Sequence, residues 1–383
     1  MRPIRILQQG LSGGWGGIEC LVMEAYRRID RDRVQFDFLM PCGIDRIAFE
    51  DEVAALGGRV FRELRAERDD PFGAQARLLA WMRRHAEIGG VHVHANYPYA
   101  LPLKAAKRAG IRLRVLHAHN AGSSDALIRR DTLRRTLRGM LDARARRQMT
   151  AYPTHYLACS GRAADYMFPG RPYRLLSNGI DTRRFAFDAG TRAAVRSRLG
   201  LAESTAVIGF CGGLRMQKNP LFLAEIFAAY HGLHPDSALL VVGDGVLRGP
   251  MERRLRALGA WEAARFVGAR PDTAPYYQAM DAFVLPSHYE GLGMVAVEAQ
   301  CAGLPCLLSA EGVPGEASIT ADACAASLRE PAVAWARRLE TPLAARMRRA
   351  GRDAAVRAAG YDIDATARRL QDLYVRQAGR DDA

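Results

Sequence analysis

Short apolar segments alternate with longer segments in which apolar residues recur at helical spacing. This rhythm predicts repeated βα units, and therefore parallel sheets that are covered by helices on both faces. In the first half, the predicted strands are Ile4–Gln8, Val34–Met40, Arg59–Phe61, Val91–His94, Leu113–His117, Thr154–Ala158 and Arg174–Leu176. Helices are predicted between them, including Gly17–Ile29, Gly73–Ala86 and Asp125–Met149.

The same alternation restarts in the second half of the chain. Its predicted strands are Ala206–Phe210, Leu239–Val242, Arg265–Val267, Ala282–Leu285 and Cys306–Leu308, and its helices are Pro220–Tyr230, Gly249–Leu258 and Gly293–Ala302. A length of 383 residues suits two domains better than one, because single cores rarely exceed ~250–300 residues. We therefore predict an α/β chain of two doubly wound, Rossmann-like domains, 1–185 and 186–360. A final helix within 361–383 is expected to cross back to the first domain.

Composition says little about where in the cell the protein is located, but it narrows the kinds of partner that the protein could bind. No apolar run approaches the ~18–20 residues of a membrane span, and no secretory signal follows the N-terminus, which favours the cytoplasm. The net charge is +14, and the stretch 104–147 alone carries thirteen Lys or Arg residues against three Asp. This stretch is either a solvated basic face or a surface for anionic lipid or a lipid-linked acceptor, the second placing the chain at the inner membrane face. Nucleic acid is disfavoured because no aromatic residues are interleaved with the charges.

Two carboxylates stand at the start of one predicted helix. Glu290 belongs to the loop after the apolar strand at 282–285, and Glu298 lies inside the helix that follows. The glycines between them let backbone amides approach a ligand, and a helix N-terminus favours an anion. One carboxylate could accept hydrogen bonds from sugar hydroxyls and the other from a ribose diol. A loop glutamate with a surface helical glutamate is the plainer alternative.

The segment PSHYEGLGMVAVEAQCAGLPCLLS, which holds this Glu-x7-Glu pattern, resembles the signature of family-4 retaining glycosyltransferases of the GT-B fold. Other segments in the same order also resemble the family: GGLRMQKNP at 212–220, VVGDGVLRGPMERRLRALG and LLSNGIDTRRF. The N-terminal segments GGIECLVMEAYRRIDRDRVQFDFL and LHAHNAGSSD resemble the subgroup of bacterial exopolysaccharide and capsule assembly. The resemblance implies two domains facing across a cleft, a nucleoside-diphosphate-sugar donor and retention of anomeric configuration.

The resemblance assigns roles to residues of this chain. The cations Arg215 and Lys218 would bind the donor's phosphates, where charge grows as the glycosidic bond breaks. His119 would face the transferred sugar opposite Glu290. These four residues are the expected catalytic set, and the other expected donor-binding residues are Gly16, Gly17, Gly213, Val267, Gly291, Leu292, Gly293, Met294 and Glu298. Among them, Gly16 and Gly17 belong to a glycine-rich loop after the first strand, while the neighbouring Glu19 is expected to be structural.

Two patterns could suggest a metal. His92-x-His94 places both imidazoles on one face of a strand, but the sequence indicates no third ligand. Asp362-x-Asp364 begins the last helix and is interpreted as helix capping. We therefore expect no metal and no cofactor, with Arg215 and Lys218 in place of a divalent ion.

These observations predict a metal-independent, retaining transferase. It would move a hexose or N-acetylhexosamine from a UDP-sugar, or else a GDP-sugar, to a glycan or lipid-linked acceptor in cell-surface polysaccharide biosynthesis. The alternatives are a sugar-nucleotide epimerase of the same fold and a non-catalytic sugar-nucleotide-binding protein. A nicotinamide oxidoreductase is disfavoured because the glycine-rich loop lacks the dinucleotide spacing and no ribose-binding acid ends the second strand.

Overall fold

A computed structural model describes residues 2–64, 73–97, 100–122, 132–344 and 349–378. The chain divides into two compact units, Met1–Gly179 together with Ile363–Ala383, and Ile180–Asp362. The division after Gly179 falls slightly before the expected boundary at 185. Each unit contains one parallel sheet with helices in its connections, so the predicted two-domain α/β fold is confirmed.

The sheet of the first unit has seven parallel strands in the order β3-β2-β1-β4-β5-β6-β7. The strands are β1 Ile4–Gln9, β2 Val34–Pro41, β3 Arg59–Leu64, β4 Ile88–Ala95, β5 Leu113–Ala118, β6 His155–Ala158 and β7 Arg174–Leu175. The helices are α1 Gly17–Arg28, α2 Glu50–Ala55, α3 Ala74–Arg84, α4 Leu101–Arg108, α5 Thr132–Met149 and α6 Gly161–Met167. Residues 125–131 of the predicted helix Asp125–Met149 lie outside the described residues.

The sheet of the second unit has six parallel strands in the order β10-β9-β8-β11-β12-β13. The strands are β8 Ala206–Cys211, β9 Ser237–Val242, β10 Ala264–Gly268, β11 Ala282–Leu285, β12 Cys306–Ser309 and β13 Ala323–Ala326. The helices are α7 Thr182–Phe185, α8 Ala189–Arg198, α9 Pro220–Leu233, α10 Arg248–Ala257, α11 Ala274–Ala279, α12 Met294–Cys301, α13 Ala332–Ala344 and α14 Asp353–Ala358. Strand β13 was not predicted.

The last helix, α15 (Ile363–Ala378), belongs to the first unit. Its apolar face closes the core over the sheet, where the Tyr374 ring meets Phe36 edge-on at 5.9 Å. At its start, Asp364 accepts a 2.8 Å hydrogen bond from Arg28 of α1. Among the described helices, none has both the length and the apolarity to cross a bilayer.

In both sheets, the carboxyl ends of parallel strands carry the loops that hold the expected site residues. In the second unit, β8 is buried along its whole length, and the glycine-rich turn 212–213 follows it directly. In the first unit, the loop with Gly16 follows β1, and His119 follows β5. This placement fits the rule that open α/β sheets bind ligands beyond the carboxyl ends of their strands.

Candidate active site

The turn after β8 holds the two expected phosphate-binding cations. Arg215 precedes a short 3-10 helix, Met216–Lys218, and its side chain is exposed. Gly212 has φ of +135°, and a Cβ atom there would lie 2.6 Å from Lys218 Cε. The absence of a side chain at 212 therefore lets the Lys218 chain lie against the turn. A Cβ at Gly213 would meet only the Arg215 side chain, at 3.4 Å.

Glu290 is the most highly connected of the expected site residues. It is 6 % exposed, and its Oε1 accepts hydrogen bonds from Lys218 Nζ at 2.8 Å and from Ser287 Oγ at 2.7 Å. Gln217 Nε2 donates to the Tyr289 carbonyl at 3.1 Å and reaches Glu290 Oε2 at 3.4 Å. The carboxylate is thus fixed by donors from two loops of the second unit.

The helix that follows Glu290 begins at a left-handed residue. Gly293 has φ of +88° and precedes Met294, the first residue of α12, with no side-chain cap. Leu292 is buried and anchors the loop. Because the first-turn amides of a helix have no intrahelical acceptor, the start of α12 can receive an anion. The glycines from which an anion site was predicted, Gly291 and Gly293, lie in this loop.

Glu298 lies one helical turn into α12 and faces the phenol of Tyr277. Tyr277 Oη donates a 2.7 Å hydrogen bond to Glu298 Oε2. Burial raises the pKa of the Glu298 carboxyl, against a smaller lowering by the Tyr277 hydrogen bond. The expected donor-binding residue Val267 lies in β10 and is partly buried. The second unit therefore contains five of the expected site residues, which are Arg215, Lys218, Glu290, Glu298 and Val267.

The glycine-rich loop of the first unit is braced by Glu19. Glu19 is 4 % exposed, and its Oε1 accepts a 2.5 Å hydrogen bond from the Ser12 amide. A Cβ atom on Gly16 would lie 2.5 Å from Glu19 Oε2, whereas one on Gly17 would meet no atom within 4 Å. The absence of a side chain at Gly16 therefore leaves room for the Glu19 carboxylate. Gly17 is the first residue of α1, and a side chain there would meet no neighbouring atom.

His119 is buried at the carboxyl end of β5. Its Nε2 lies 2.9 Å from His94 Nδ1, and burial lowers its pKa to about 3. The imidazole is therefore neutral near pH 7 and can donate or accept one hydrogen bond at each nitrogen. Its Nδ1 finds no hydrogen-bond partner among the described residues.

Some residues of the site were not predicted from the sequence. Ser287, Gln217 and Tyr277 hold the two glutamates in place, and of the three only Tyr277 lies outside the segments that resemble the family. Ser287 stands within the PSHYEGLG segment and Gln217 within GGLRMQKNP, and membership of these segments was the available signal for both. Glu19 was expected to be structural, and its contact with the Ser12 amide gives it that role within the glycine-rich loop.

Two family models match the chain in succession. The model described as "Glycosyltransferase Family 4" matches residues 15–184, and the model described as "Glycosyl transferases group 1" matches residues 191–349. Together they span most of both units.

The chain is also similar to individual proteins. It is 29% identical over 372 residues to EpsF of Bacillus subtilis (strain 168), described as a glycosyltransferase, covering 94% of this chain and 93% of that one. It is 34% identical over 138 residues to the UDP-Gal:alpha-D-GlcNAc-diphosphoundecaprenol alpha-1,3-galactosyltransferase of Escherichia coli, covering 35% and 36% of the two chains. The crystal structure of Anabaena HepE in complex with UDP-glucose matches with a TM-score of 0.71, 18% identity and 99% coverage of both chains, which shows a shared fold.

Proposed function

Since this chain belongs to the family-4 glycosyltransferases of the GT-B fold, we propose that it is a retaining enzyme that uses a nucleoside-diphosphate sugar. The transferred group is a hexose or N-acetylhexosamine, the favoured donor is a UDP-sugar, and a GDP-sugar is the alternative. The acceptor is a glycan or a lipid-linked sugar of cell-surface polysaccharide biosynthesis. The UDP-Gal of the Escherichia coli relative's name and the UDP-glucose bound to HepE support the choice of donor.

The observation that carries the proposal is the ion pair between Lys218 and Glu290, beside exposed Arg215. A donor diphosphate would meet both cations, Arg215 as a planar fork and Lys218 as a point charge. Fixed cations stabilise the departing diphosphate more than the intact donor, because negative charge grows there as the bond breaks. In this role they replace a divalent ion at the phosphates.

Glu290 and Glu298 would hold the two ends of the donor. Glu290 retains lone pairs that can accept hydrogen bonds from sugar hydroxyls while Lys218 and Ser287 fix its position. Glu298 would accept from the ribose diol, sharing its carboxylate with Tyr277. The start of α12 supplies backbone amides to the diphosphate. His119 would bind a hydroxyl of the transferred sugar with its unpartnered Nδ1.

The proposed reaction takes place on one face of the sugar. The bond from the anomeric carbon to the leaving phosphate oxygen breaks, and its electron pair goes to that oxygen. The acceptor hydroxyl attacks from the same face, and the leaving phosphate oxygen takes its proton. The configuration at the anomeric carbon is thereby retained, and the products are the glycoside and a nucleoside diphosphate.

The experiment measures nucleoside diphosphate released from a panel of UDP-, GDP- and ADP-sugars by the purified chain. We expect release from one donor through slow hydrolysis, with no increase when Mg²⁺ or Mn²⁺ is added. Glu290→Gln should lower the rate by about 10²–10³-fold while nucleotide binding persists. Glu225→Gln, at a partly buried glutamate of α9 that pairs with Arg254 in the same unit, is the matched control. If no donor reacts and calorimetry detects no binding of UDP, GDP or ADP, the proposal fails.

The basic stretch 104–147 supports peripheral docking on an anionic membrane. On α5, Met140 and Leu141 are 65 % and 62 % exposed beside the arginines of that helix. Exposed apolar side chains next to cations suit the headgroup region of a bilayer. Sedimentation with phosphatidylglycerol vesicles, compared with phosphatidylcholine vesicles, tests this part of the proposal. Equal binding to both would contradict it.

A further inference from the structure

Four histidines cluster on one face of the sheet in the first unit. His92 and His94 alternate along β4, so their side chains leave the same face. His117 is the direct partner of His94 on β5, and His119 follows that strand. All four side chains are buried, and the rings of His92 and His94 stack with centroids 4.2 Å apart.

Three of these imidazoles can supply ligand atoms to one ion. One ring nitrogen from each of His92, His94 and His117 lies within 4.8 Å of the other two. Nitrogens ~2.0–2.1 Å from a tetrahedral Zn²⁺ lie roughly 3.4 Å apart. Small rotations of the rings would therefore close them onto an ion. The sequence indicated only the first two histidines, because the third comes from a neighbouring strand.

The outer nitrogens of two histidines already have partners. His92 Nδ1 lies 2.6 Å from Tyr374 Oη, and His94 Nε2 lies 2.8 Å from Gln8 Oε1. With its oxygen toward His94, Gln8 can only accept, so His94 Nε2 carries the proton and Nδ1 keeps a lone pair. Metal-binding histidines show this pattern, in which the second ring nitrogen donates to an outer group.

The inner nitrogens lack such partners. His92 Nε2 and both nitrogens of His117 have no hydrogen-bond partner among the described residues. His94 Nδ1 contacts His119 Nε2 at 2.9 Å, a contact that an ion would replace. Burial lowers the pKa of His92 to about 3 and holds those of His94 and His117 well below the ordinary value. The imidazoles are therefore in the neutral form that binds metals.

We propose that His92, His94 and His117 bind one Zn²⁺ ion, with His119 or water completing the coordination. Imidazole ligands suit zinc. With His119 as the fourth ligand the site would be closed, as structural zinc sites are, and with water it would keep one open position. The ion would tie β4 to β5 and, through Tyr374, to α15. Its ligands belong to the first unit, whereas the proposed phosphate-binding cations Arg215 and Lys218 belong to the second. The proposed site would revise the sequence-based expectation that the chain binds no metal.

The test uses the full chain purified without a polyhistidine tag. Mass spectrometric metal analysis should find about one zinc per chain, and Co²⁺ added to the metal-free protein should give the visible absorption of tetrahedral cobalt. His117→Asn should abolish that absorption, and Tyr374→Phe should weaken Co²⁺ binding by about 10–100-fold. His155→Asn, a substitution on β6 outside the cluster, should bind Co²⁺ as the wild type does.

Two results would overturn the proposal. One is a wild-type chain that carries no stoichiometric metal and gives no tetrahedral cobalt spectrum. The other is unchanged Co²⁺ affinity in folded His117→Asn protein. If that variant does not fold, His92→Gln takes its place, and the wild-type stoichiometry still decides the question without any variant.

Discussion

Lys218 Nζ donates a 2.8 Å hydrogen bond to Glu290 Oε1, and this ion pair joins the loop after β8 to the loop before α12. The same two loops meet again where Gln217 donates to the Tyr289 carbonyl and where the His288 amide donates to the Gln217 carbonyl. The proposed phosphate-binding and sugar-binding groups are therefore parts of one hydrogen-bonded structure. A substitution in either loop should therefore alter the conformation of the other loop.

Replacement of Lys218 should lower activity even when the charge is kept. The chain has 55 Lys and Arg residues but only three lysines, so an amine at 218 is unusual for its composition. A guanidinium is broader and needs planar partners, and it should not fit between the Gly212 turn and Glu290. We expect Lys218→Met to lower kcat/KM by about 10²–10³-fold, and Lys218→Arg to recover only part of that loss.

The measurement is donor turnover by nucleoside diphosphate release, with Lys107→Arg on α4 as the matched control. The control should behave as the wild type. Full activity in Lys218→Arg would mean that only the charge matters at this position.

Gly212→Ala should displace Lys218. The new Cβ would lie 2.6 Å from Lys218 Cε, at a φ of +135° that side chains rarely adopt. We expect a marked fall in kcat/KM together with a loss of stability, the latter roughly 1–2 kcal/mol or more from the backbone alone. Donor turnover and urea unfolding measure the two effects separately.

Gly200→Ala is the control for backbone strain. Gly200 also has a positive φ, +65°, but its Cβ would meet no atom within 4 Å. It should lose stability and keep its turnover. Equal losses of turnover in both variants would contradict a specific role for the Gly212 turn.

Most of the strands could be predicted from the sequence, but their order in the sheets could not. The buried runs at 206–211 and 282–285 are strongly apolar, whereas β13 is only Ala323–Ala326, with no β-branched residue. That segment is a strand because it pairs with β12. Its local preference is weak, and tertiary pairing decides its conformation.

The sequence predicted only those residues of the candidate site that lie within a recognisable motif. Glu290 and Lys218 belong to recognisable segments, and their contact follows from the fold. Tyr277 lies 21 positions before Glu298 on another helix, so no local spacing connects them. The roles assigned to these residues in catalysis stay predictions.

Affinity for the donor should fall in mildly acidic solution because of Glu298. Burial raises the pKa of its carboxyl, and the Tyr277 hydrogen bond opposes part of this rise. If the carboxylate accepts hydrogen bonds from the ribose, affinity for UDP-glucose should decrease as the pH falls through that raised pKa. Tyr277→Phe removes the opposing hydrogen bond, so the midpoint should move to higher pH.

Calorimetric titration with UDP-glucose across acidic and neutral pH measures this dependence. The diphosphate of a sugar nucleotide is doubly substituted and has no proton to gain near neutral pH, so the ligand contributes little. Glu298→Gln should bind more weakly and with a flat profile. A pH dependence that persists in Glu298→Gln would assign the titration to another group.

Asp281→Asn should destabilise the second unit. Asp281 is 1 % exposed, and its carboxylate pairs with Arg192 Nη2 at 2.8 Å and Arg196 Nη1 at 3.1 Å and accepts the Val207 amide at 2.8 Å. Loss of its charge leaves two buried guanidinium groups with only one carboxylate partner, Glu203, whose side chain is 55% exposed. Removal of one member of a buried pair costs about 3–5 kcal/mol. Urea unfolding, followed by circular dichroism, measures the change.

Asp272→Asn is the matched control for this prediction. Asp272 pairs with Arg184 at 2.7 Å, but its side chain is 54% exposed. Exposed pairs contribute about 0–1 kcal/mol because water and salt screen them. The control should therefore unfold at nearly the wild-type urea concentration, and Asp281→Asn at a clearly lower one. Similar midpoints for the two variants would show that burial does not strengthen the Asp281 network.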